Sequence, residues 1–427
     1  MRERLARAAY RLLTWLLLPA AFAYFWWRGR REPAYRRRWR ERLGYAEHLP
    51  SNAIWIHAAS VGEVALARPL AEALLGAAPK RPLVVTTFTP TGAERVQTQL
   101  GDAVTHCYLP LDTDAAIRRF LRRLQPRCGI IIETELWPNL LSNAARANVP
   151  MIVANANISA RSAARYRRPW LAALMRPALA GLAAIAAAAP VYARRFEELG
   201  APAERIHVIG NLKYDLAPAP ELGADGKALR RRWQAEARPV WVAASTHEGE
   251  EAIVLAAHRQ LRAQGHNALL ILAPRHPQRF ASVRELLQQG GWQFAARSEQ
   301  QPVHADTAVV LGDTLGDVPL FYALADVAFV GGSLVPGIGG HNMLEAAALA
   351  RPILVGPHTE EWQDVTATLA DAGALRVADD ATALAQHLQD WCADLAAAER
   401  AGEAAQACVT AERGALARLL ALLEPFV

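Results

Sequence analysis

The amino-acid sequence predicts an α/β protein built from two doubly wound halves. Short runs rich in β-branched and apolar residues alternate with longer helix-forming runs, a pattern typical of βαβ units that bury a parallel sheet. The alternation stops once, at a segment rich in Pro, Ala and Gly over residues 216–226, and then starts again. A chain of 427 residues is also longer than one ordinary core supports. We therefore expect an N-terminal domain over residues 44–215, a linker over 216–226, and a C-terminal domain over 227–427.

The first 43 residues are set apart by their charge. Residues 1–42 contain twelve arginines and three glutamates, a net charge of +9, whereas the whole chain carries +6. The other 385 residues therefore sum to −3. A body this close to neutral argues against nucleic-acid binding, which requires a basic face on the folded part of the protein.

Residues 12–27, LLTWLLLPAAFAYFWW, form an uncharged run within this basic segment. Its aromatic residues suit a membrane interface, and the arginines that follow are typical of a cytoplasmic flank. No small-residue cleavage site follows the run, so it does not read as a removable signal peptide. We expect residues 1–43 to be a membrane anchor, with residues 12–42 contacting the bilayer or its surface. The alternative is an amphipathic helix that covers a groove of the catalytic domain.

Ten strands are predicted beyond the anchor, five in each half. Those of the first half lie at 54–58, 83–88, 128–134, 150–156 and 206–211, and those of the second at 240–246, 268–274, 307–313, 326–332 and 351–357. Doubly wound sheets bind ligands at the carboxyl ends of their strands, so we expect a site in a central crevice between the halves.

Acidic residues and one lysine follow strands of the first half. Ser60 and Glu63 have the S-x-x-E spacing of a helix capping box, and Glu63 is alternatively a general base at the mouth of the crevice. Glu133 and Glu135 end the third strand. Their carboxylates either act electrostatically on a ligand or stabilise the start of the next helix through its dipole. Lys213 is one of three lysines in the chain and stands beside the linker.

The strand ends of the second half carry groups that suit an anion. Arg275 and His276 follow one strand, where a guanidinium can clamp a phosphate or carboxylate. A glycine-containing loop over residues 312–316 follows the next. The loop GGSLVPGIGGHN then precedes a helix expected from about Asn342, with Glu345 in its first turn as a possible partner of ribose hydroxyls.

Several common sites are missing from the sequence. No G-x-G-x-x-G follows the first strand, and neither a G-x-x-x-x-G-K-[ST] loop nor a G-x-S-x-G elbow occurs. The four cysteines are widely spaced without a C-x-x-C pair, which excludes a typical zinc site and favours reduced thiols.

The motifs SVGE, TTFTPTGAERV, ETELWPNL, GNLKYD, STHEGEE, PRHPQRF and GGHNMLEAA occur in an order that resembles the 3-deoxy-D-manno-octulosonic acid (Kdo) transferases of lipopolysaccharide synthesis. The resemblance covers nearly the whole chain. It implies a GT-B fold of two Rossmann-like domains, CMP-Kdo as the donor, and a tetra-acylated disaccharide precursor of lipid A as the acceptor. It further implies no metal cofactor and, together with the basic N-terminal flank, a location at the cytoplasmic face of the bacterial inner membrane.

The same resemblance implies residue roles. Glu63 would be the general base, with Ser60 and Gly62 beside it on the acceptor side, and Glu133 and Lys213 would stabilise the transition state. The residues implied in binding the CMP of the donor are Pro274, Arg275, His276, Leu315, Gly316, Asp317, Gly340, His341, Asn342, Met343, Leu344 and Glu345.

This chain departs from the family pattern at two positions. Met343 stands where the family often has proline, and Asn157 stands where it usually has arginine, so a positive group is missing at position 157. Two other functions stay open: a GT-B transferase that uses a UDP-sugar, and a membrane-tethered nucleotide-binding protein without catalysis.

Overall fold

Two seven-stranded parallel sheets form the core of the protein, one in each half of the chain. The computed structural model describes residues 2–215 and 218–427, and its chain divides into two compact units. The first unit holds the chain up to Asp215 together with Arg413–Val427, and the second holds the described residues between them.

The sheet of the first unit has the order β3-β2-β1-β4-β5-β6-β7. Its strands are β1 (Ile54–His57), β2 (Leu83–Thr87), β3 (Thr105–Tyr108), β4 (Cys128–Ile132), β5 (Met151–Ala156), β6 (Ala184–Ala187) and β7 (Ile206–Val208). The helices that follow β1 to β6 are α4 (Val61–Ala77), α5 (Pro90–Leu100), α6 (Asp114–Leu124), α7 (Pro138–Arg146), α8 (Ala160–Tyr166), α9 (Pro169–Ala180) and α10 (Pro190–Glu198). Apolar clusters on both faces bury the central strands, as expected for a parallel sheet between helices.

The sheet of the second unit has the order β10-β11-β9-β8-β12-β13-β14. Its strands are β8 (Val240–Thr246), β9 (Leu269–Pro274), β10 (Phe294–Ala296), β11 (Val309–Leu311), β12 (Val327–Val330), β13 (Ile353–Val355) and β14 (Leu375–Val377). Its helices are α11 (Leu222–Arg232), α12 (Glu250–Ala263), α13 (Phe280–Gln289), α14 (Val318–Leu324), α15 (Leu344–Ala348), α16 (Gln363–Asp371), α17 (Ala381–Ala393) and α18 (Leu395–Glu412). The carboxyl ends of β11, β9, β8 and β12 are consecutive at one edge of this sheet.

The predicted domain boundaries need two corrections. Residues 222–226, expected in a linker, form the first turns of α11, and Gly226 packs closely on Ala323 of α14. The closing helix α19 (Ala415–Leu423) belongs to the first unit and not to the C-terminal domain. The reason is its apolar face, because Leu419 and Leu423 are buried in the same cluster as Leu70 of α4.

The N-terminal segment is helical and lies against the first unit. Helices α1 (Arg2–Leu16) and α2 (Leu18–Arg28) are linked by continuous hydrogen bonds through Leu17. By length and composition, residues 2–28 form a helix that could cross a membrane. In the first half of this helix, the Tyr10 hydroxyl donates to the carboxylate of Asp112 at 2.9 Å, and near its C-terminal end Phe25 is 4% exposed.

Part of the basic flank belongs to the folded body. Arg42, at the end of α3 (Trp39–Arg42), is 3% exposed and donates from Nη2 to the carbonyl of Phe88 at 2.6 Å. Its guanidinium lies 4.0 Å from the centroid of the Tyr108 ring. Burial lowers its pKa to about 10, which leaves it charged at neutral pH. This arginine therefore stabilises the fold and is not available to a membrane surface.

Candidate active site

Glu63 lies at the start of α4, immediately beyond the carboxyl end of β1, and both of its carboxylate oxygens are hydrogen-bonded. Oε2 accepts from the backbone N–H of Ala59 at 2.8 Å, and Oε1 accepts from the Ser60 hydroxyl at 2.9 Å. The backbone N–H of Glu63 in turn donates to Ser60 Oγ at 3.3 Å. The cap predicted from the S-x-x-E spacing is therefore formed. Gly62 is exposed beside it, and a Cβ on Gly62 would lie 3.9 Å from Ser60 Oγ.

The cap does not exclude acid–base chemistry, because the pKa of the capping carboxyl group is close to neutral pH. Burial raises the pKa of Glu63 to about 7, since its side chain is only 8% exposed. Hydrogen bonds from Ala59 and Ser60 lower it, while the negative charges of Glu135 and Glu133 raise it further. A carboxylate in this state suits a general base at physiological pH.

Glu133 and Lys213 are brought together as a second charged group in the first unit. Lys213 Nζ lies 4.0 Å from Glu133 Oε1, and Asn157 Nδ2 donates to the same oxygen at 3.1 Å. Glu133 has a φ of +60°, a left-handed conformation that turns the chain sharply at the end of β4. Asn157 thus binds Glu133 at the position where the family usually has a positive charge.

A turn held by two asparagines presents Lys213. The Asn211 side chain accepts from the Lys213 N–H at 3.0 Å, and the Asn155 side chain accepts from the Leu212 N–H at 2.9 Å. Asn155 is fully buried at a bulge near the end of β5 and has a φ of +54°. Its role depends on contacts distant in sequence, so the sequence did not reveal it.

In the second unit, the ends of three strands meet through histidine rings. His247 follows β8, His276 follows β9, and His341 lies in the loop after β12. The Nε2 atoms of His247 and His341 are 2.7 Å apart, and their rings stack with centroids 5.0 Å apart. His276 meets the His247 ring edge-on at 5.2 Å. The sequence indicated His276 and His341 but not His247, which lies in the STHEGEE motif.

The environment keeps these imidazoles neutral at pH 7. Burial lowers the pKa of His341 to about 4, and His247, Arg275 and His276 lower it further. Burial likewise lowers the pKa of His247 and of His276. Two neutral rings with facing Nε2 atoms share one proton, so one ring donates and the other accepts.

The arginine predicted beside this cluster is exposed. Arg275 follows the buried Pro274, and its backbone N–H donates to the carbonyl of Thr246 at 3.0 Å, which fixes its position beside the end of β8. Its guanidinium can therefore meet an anionic ligand at this edge of the sheet.

Glu250 determines the shape of the glycine loop and was missed as a site residue. It is fully buried at the start of α12, and its carboxylate accepts from four backbone N–H groups within 2.9 Å. Those N–H groups belong to His247, Gly332, Ser333 and Leu334. The amides at the start of the loop are therefore already occupied by a carboxylate and are not available to a phosphate.

Two positions of the loop require glycine because neighbouring atoms leave no space for a side chain. A Cβ on Gly331 would lie 2.7 Å from the Ser245 carbonyl oxygen, and one on Gly332 would lie 2.9 Å from the His341 ring. Gly332 also has a φ of +71°, which favours glycine. These glycines bring the loop onto the end of β8 and place His341 beside His247.

The helix after the loop begins later than expected. It begins at Leu344 and not near Asn342, although Glu345 lies in its first turn as predicted. The Asn342 side chain accepts from the Leu344 N–H at 3.1 Å and donates to Glu345 at 3.1 Å. Met343 is fully buried, so this departure from the family pattern fills the core. Gly340 closes the loop by donating to the Gly332 carbonyl at 2.8 Å.

The remaining predicted donor residues follow β11. Leu315 is 75% exposed, Gly316 has a φ of +90°, and Asp317 accepts from Arg297 at 3.0 Å and from Thr314 at 2.9 Å. The Asp317 carboxylate is thus committed to contacts within the protein.

Within residues 2–215 and 218–427, no three His, Cys, Asp or Glu side chains are grouped as a metal site. The four cysteines are unpaired, as predicted.

Known proteins resemble this chain over most of its length. A profile of the 3-deoxy-D-manno-octulosonic-acid transferase (kdotransferase) family matches residues 37–216. The 3-deoxy-D-manno-octulosonic acid transferase of Haemophilus influenzae is 43% identical over 401 residues, 93% of each chain. The protein of the same name from Bordetella pertussis is 39% identical over 448 residues, 99% of this chain and 100% of that one.

Among solved structures, a glycosyltransferase from Rickettsia africae has the same fold. It is 13% identical, with a TM-score of 0.55 over 89% of this chain and 99% of that one. With two parallel seven-stranded sheets, the fold is GT-B, as the sequence predicted.

Proposed function

This chain belongs to the 3-deoxy-D-manno-octulosonic acid transferase family, and on that premise we propose that it moves Kdo from CMP-Kdo to the tetra-acylated disaccharide precursor of lipid A. It is thus a glycosyltransferase of lipopolysaccharide synthesis. The observation that carries the mechanism is the buried carboxyl group of Glu63, whose pKa of about 7 suits proton abstraction.

In the proposed reaction, the acceptor hydroxyl attacks the anomeric carbon of Kdo while Glu63 takes its proton. A bond forms between the acceptor oxygen and that carbon, and the bond from the carbon to the phosphate oxygen breaks. CMP leaves with the bonding electrons, and the anomeric configuration inverts. The hydrogen bonds from Ala59 and Ser60 hold the Glu63 carboxylate in one orientation for this transfer.

Glu133 and Lys213 are proposed to stabilise the transition state. Charge develops on the sugar ring and the departing phosphate as the glycosidic bond breaks, and fixed charges lower the energy of that state. The contact of Glu133 with both Asn157 and Lys213 supports this role, because it holds the two charges in place before substrate binds.

The second unit is proposed to bind the CMP part of the donor at the ends of β9, β11 and β12. The exposed guanidinium of Arg275 is suited to the single phosphate, and Glu345 is suited to the ribose hydroxyls. We propose that cationic side chains neutralise the leaving phosphate without a divalent metal, so transfer is expected to continue in excess EDTA.

Helices α1 and α2 are proposed to lie on the cytoplasmic surface of the inner membrane and not to cross it. Tyr10 and Phe25 both contact the first unit, although they are about 22 Å apart along the helix axis. A spanning helix would carry one of them away from that unit. The exposed side chains of Trp15, Trp26 and Trp27 suit a membrane interface.

Mass spectrometry of the lipid product tests the proposed function. The full-length protein is incubated with the lipid A precursor and either CMP-Kdo or UDP-sugars. Addition of Kdo only from CMP-Kdo is expected, and Glu63→Gln should lower the rate by about 10²–10⁴ while CMP binding persists. Transfer from a UDP-sugar without Kdo transfer would contradict the proposed donor, and CMP binding without transfer would favour the non-catalytic alternative.

A further inference from the structure

A cavity of about 460 Å³ lies in the first unit where β4 and β5 end. Its volume is within the range of small-molecule sites. Seven of its ten lining residues have polar or charged side chains, which argues against an acyl chain as the occupant. The lining residues that matter here are Glu135, Trp137, Asn157, Ser162, Arg165 and Tyr166.

The cavity adjoins the candidate catalytic residues of the first unit. Asn157 forms part of its wall and donates to Glu133 at 3.1 Å. Glu135 forms another part, and its charge is near enough to Glu63 to raise the pKa of that group. A ligand in the cavity would therefore contact Asn157, which binds Glu133, and Glu135, whose charge acts on Glu63.

The lining provides the groups that proteins use to bind sugars. The Trp137 indole N–H donates to Glu135 Oε2 at 2.7 Å, which fixes both the aromatic ring and the carboxylate. In the described chain, Glu135 Oε1 accepts no hydrogen bond, so it can accept one from a sugar hydroxyl. The other side of the cavity carries the Ser162 hydroxyl and the guanidinium of Arg165, which lies over the Tyr166 ring at 5.5 Å.

We propose that this cavity binds a sugar ring of the acceptor that carries an anionic substituent, with Trp137 and Glu135 contacting the ring and Arg165 contacting the anion. The inference rests on the proposed function, because it assigns the cavity to the acceptor. Arg165 then supplies a positive charge in the same cavity in which Asn157 stands where the family usually has arginine.

Helix α8 offers matched controls for a test. Arg165 and Ser162 line the cavity, whereas Arg161 and Ala164 lie on the same helix and do not line it. Arg165→Gln removes the charge and is compared with Arg161→Gln. Ser162→Phe places an aromatic ring in the cavity and is compared with Ala164→Phe.

Binding of glucose 6-phosphate and of glucose to the full-length protein is measured by saturation-transfer NMR, which needs no donor or turnover. Arg165→Gln should weaken glucose 6-phosphate binding about tenfold, as expected when one hydrogen bond to a charged group is lost, and leave glucose binding unchanged. Ser162→Phe should abolish both. Equal effects of Arg165→Gln and Arg161→Gln, or persistent sugar binding by Ser162→Phe, would overturn the proposal.

Steady-state kinetics then separates the acceptor from the donor, since Kdo is itself an anionic sugar. Arg165→Gln should raise the KM for the lipid A precursor about tenfold and leave the KM for CMP-Kdo unchanged. A rise in the KM for CMP-Kdo alone would overturn the assignment to the acceptor. Sugar-phosphate binding in a protein that transfers no Kdo would refute the proposed function while leaving the cavity as an anionic-sugar site.

Discussion

At the scale of single residues, the ionisation of Glu63 links the rate of the reaction to pH. Only the deprotonated carboxylate can accept the acceptor proton, and its pKa is about 7. We expect kcat/KM to rise with pH through about 7 and to level off above it. Ser60→Ala removes a hydrogen bond that lowers this pKa, so the midpoint of the pH–rate profile should shift upward. A profile of Ser60→Ala identical to that of the wild type would contradict the assignment.

The same carboxyl group affects stability in the opposite sense to an ordinary acidic residue. Burial raises its pKa from 4.5 in the unfolded chain to about 7, so the folded state binds the proton more tightly. This contribution to stability is complete below pH 4.5 and is lost as pH rises to 7. Glu63→Gln removes the titration and keeps the side-chain shape. Relative to wild type, it should therefore gain up to about 3 kcal/mol in unfolding free energy between pH 4 and pH 8.

Chemical denaturation at the two pH values measures this difference. Glu248→Gln, at an 87% exposed side chain, serves as the control and should show no such gain. A constant difference between Glu63→Gln and wild type at both pH values would show that Glu63 is ionised at a normal pKa in the folded protein.

The residues that the sequence indicated are those whose position relative to a strand already suggests chemistry. Glu63 follows β1, Glu133 follows β4, and Arg275 follows β9, so the carboxyl-edge rule for parallel sheets was sufficient to select them. Glu250 and His247 were missed because the loop amides that bind Glu250 and the His341 ring that meets His247 lie more than eighty residues away. The motif STHEGEE reads locally as a capped acidic helix start, which gives no sign of those partners.

At the scale of elements, Glu250 joins the start of α12 to the loop after β12. Glu250→Gln would replace a buried carboxylate that accepts three hydrogen bonds from the loop with an amide that can donate toward the same N–H groups. We expect a loss of about 3 kcal/mol in unfolding free energy, together with weaker CMP binding, because His341 lies in this loop. Scanning calorimetry measures the change in stability, and titration calorimetry measures CMP binding. The exposed Glu248→Gln variant should change neither the stability nor the affinity for CMP.

Four strands were not predicted, namely β3, β6, β10 and β14. The sequence of β6, AIAA, lies within an alanine-rich run that favours a helix, and only its place between β5 and β7 makes it a strand. Strand β10 has the sequence FAA and β14 has the sequence LRV, so neither offers the run of β-branched residues that identified β11 and β13, which are equally short. The long buried strands β8 and β9 gave clear apolar runs and were predicted.

At the scale of the whole molecule, the position of α19 predicts that the stability of the first unit depends on the C-terminal residues. Ending the chain at Glu412 removes Ala415, Leu419 and Leu423 from the core beside α4. Each buried leucine contributes about 2 kcal/mol, so the first unit should become several kcal/mol less stable. Amide hydrogen exchange should increase in α4 and remain slow in β8 of the second unit. Equal protection of α4 in both chains would contradict the assignment of α19 to this core.

The return of the chain to its first unit also determines when that unit can finish folding during synthesis. Arg413–Val427 is translated only after the whole of the second unit. The ribosome therefore releases a second unit whose sequence is continuous before it releases the last piece of the first. Until then, the apolar surface of the first unit that Leu419 and Leu423 will cover is exposed to solvent. Until α19 has been translated, a nascent chain of this protein therefore exposes this apolar surface to solvent, and the surface is covered only when α19 packs against α4.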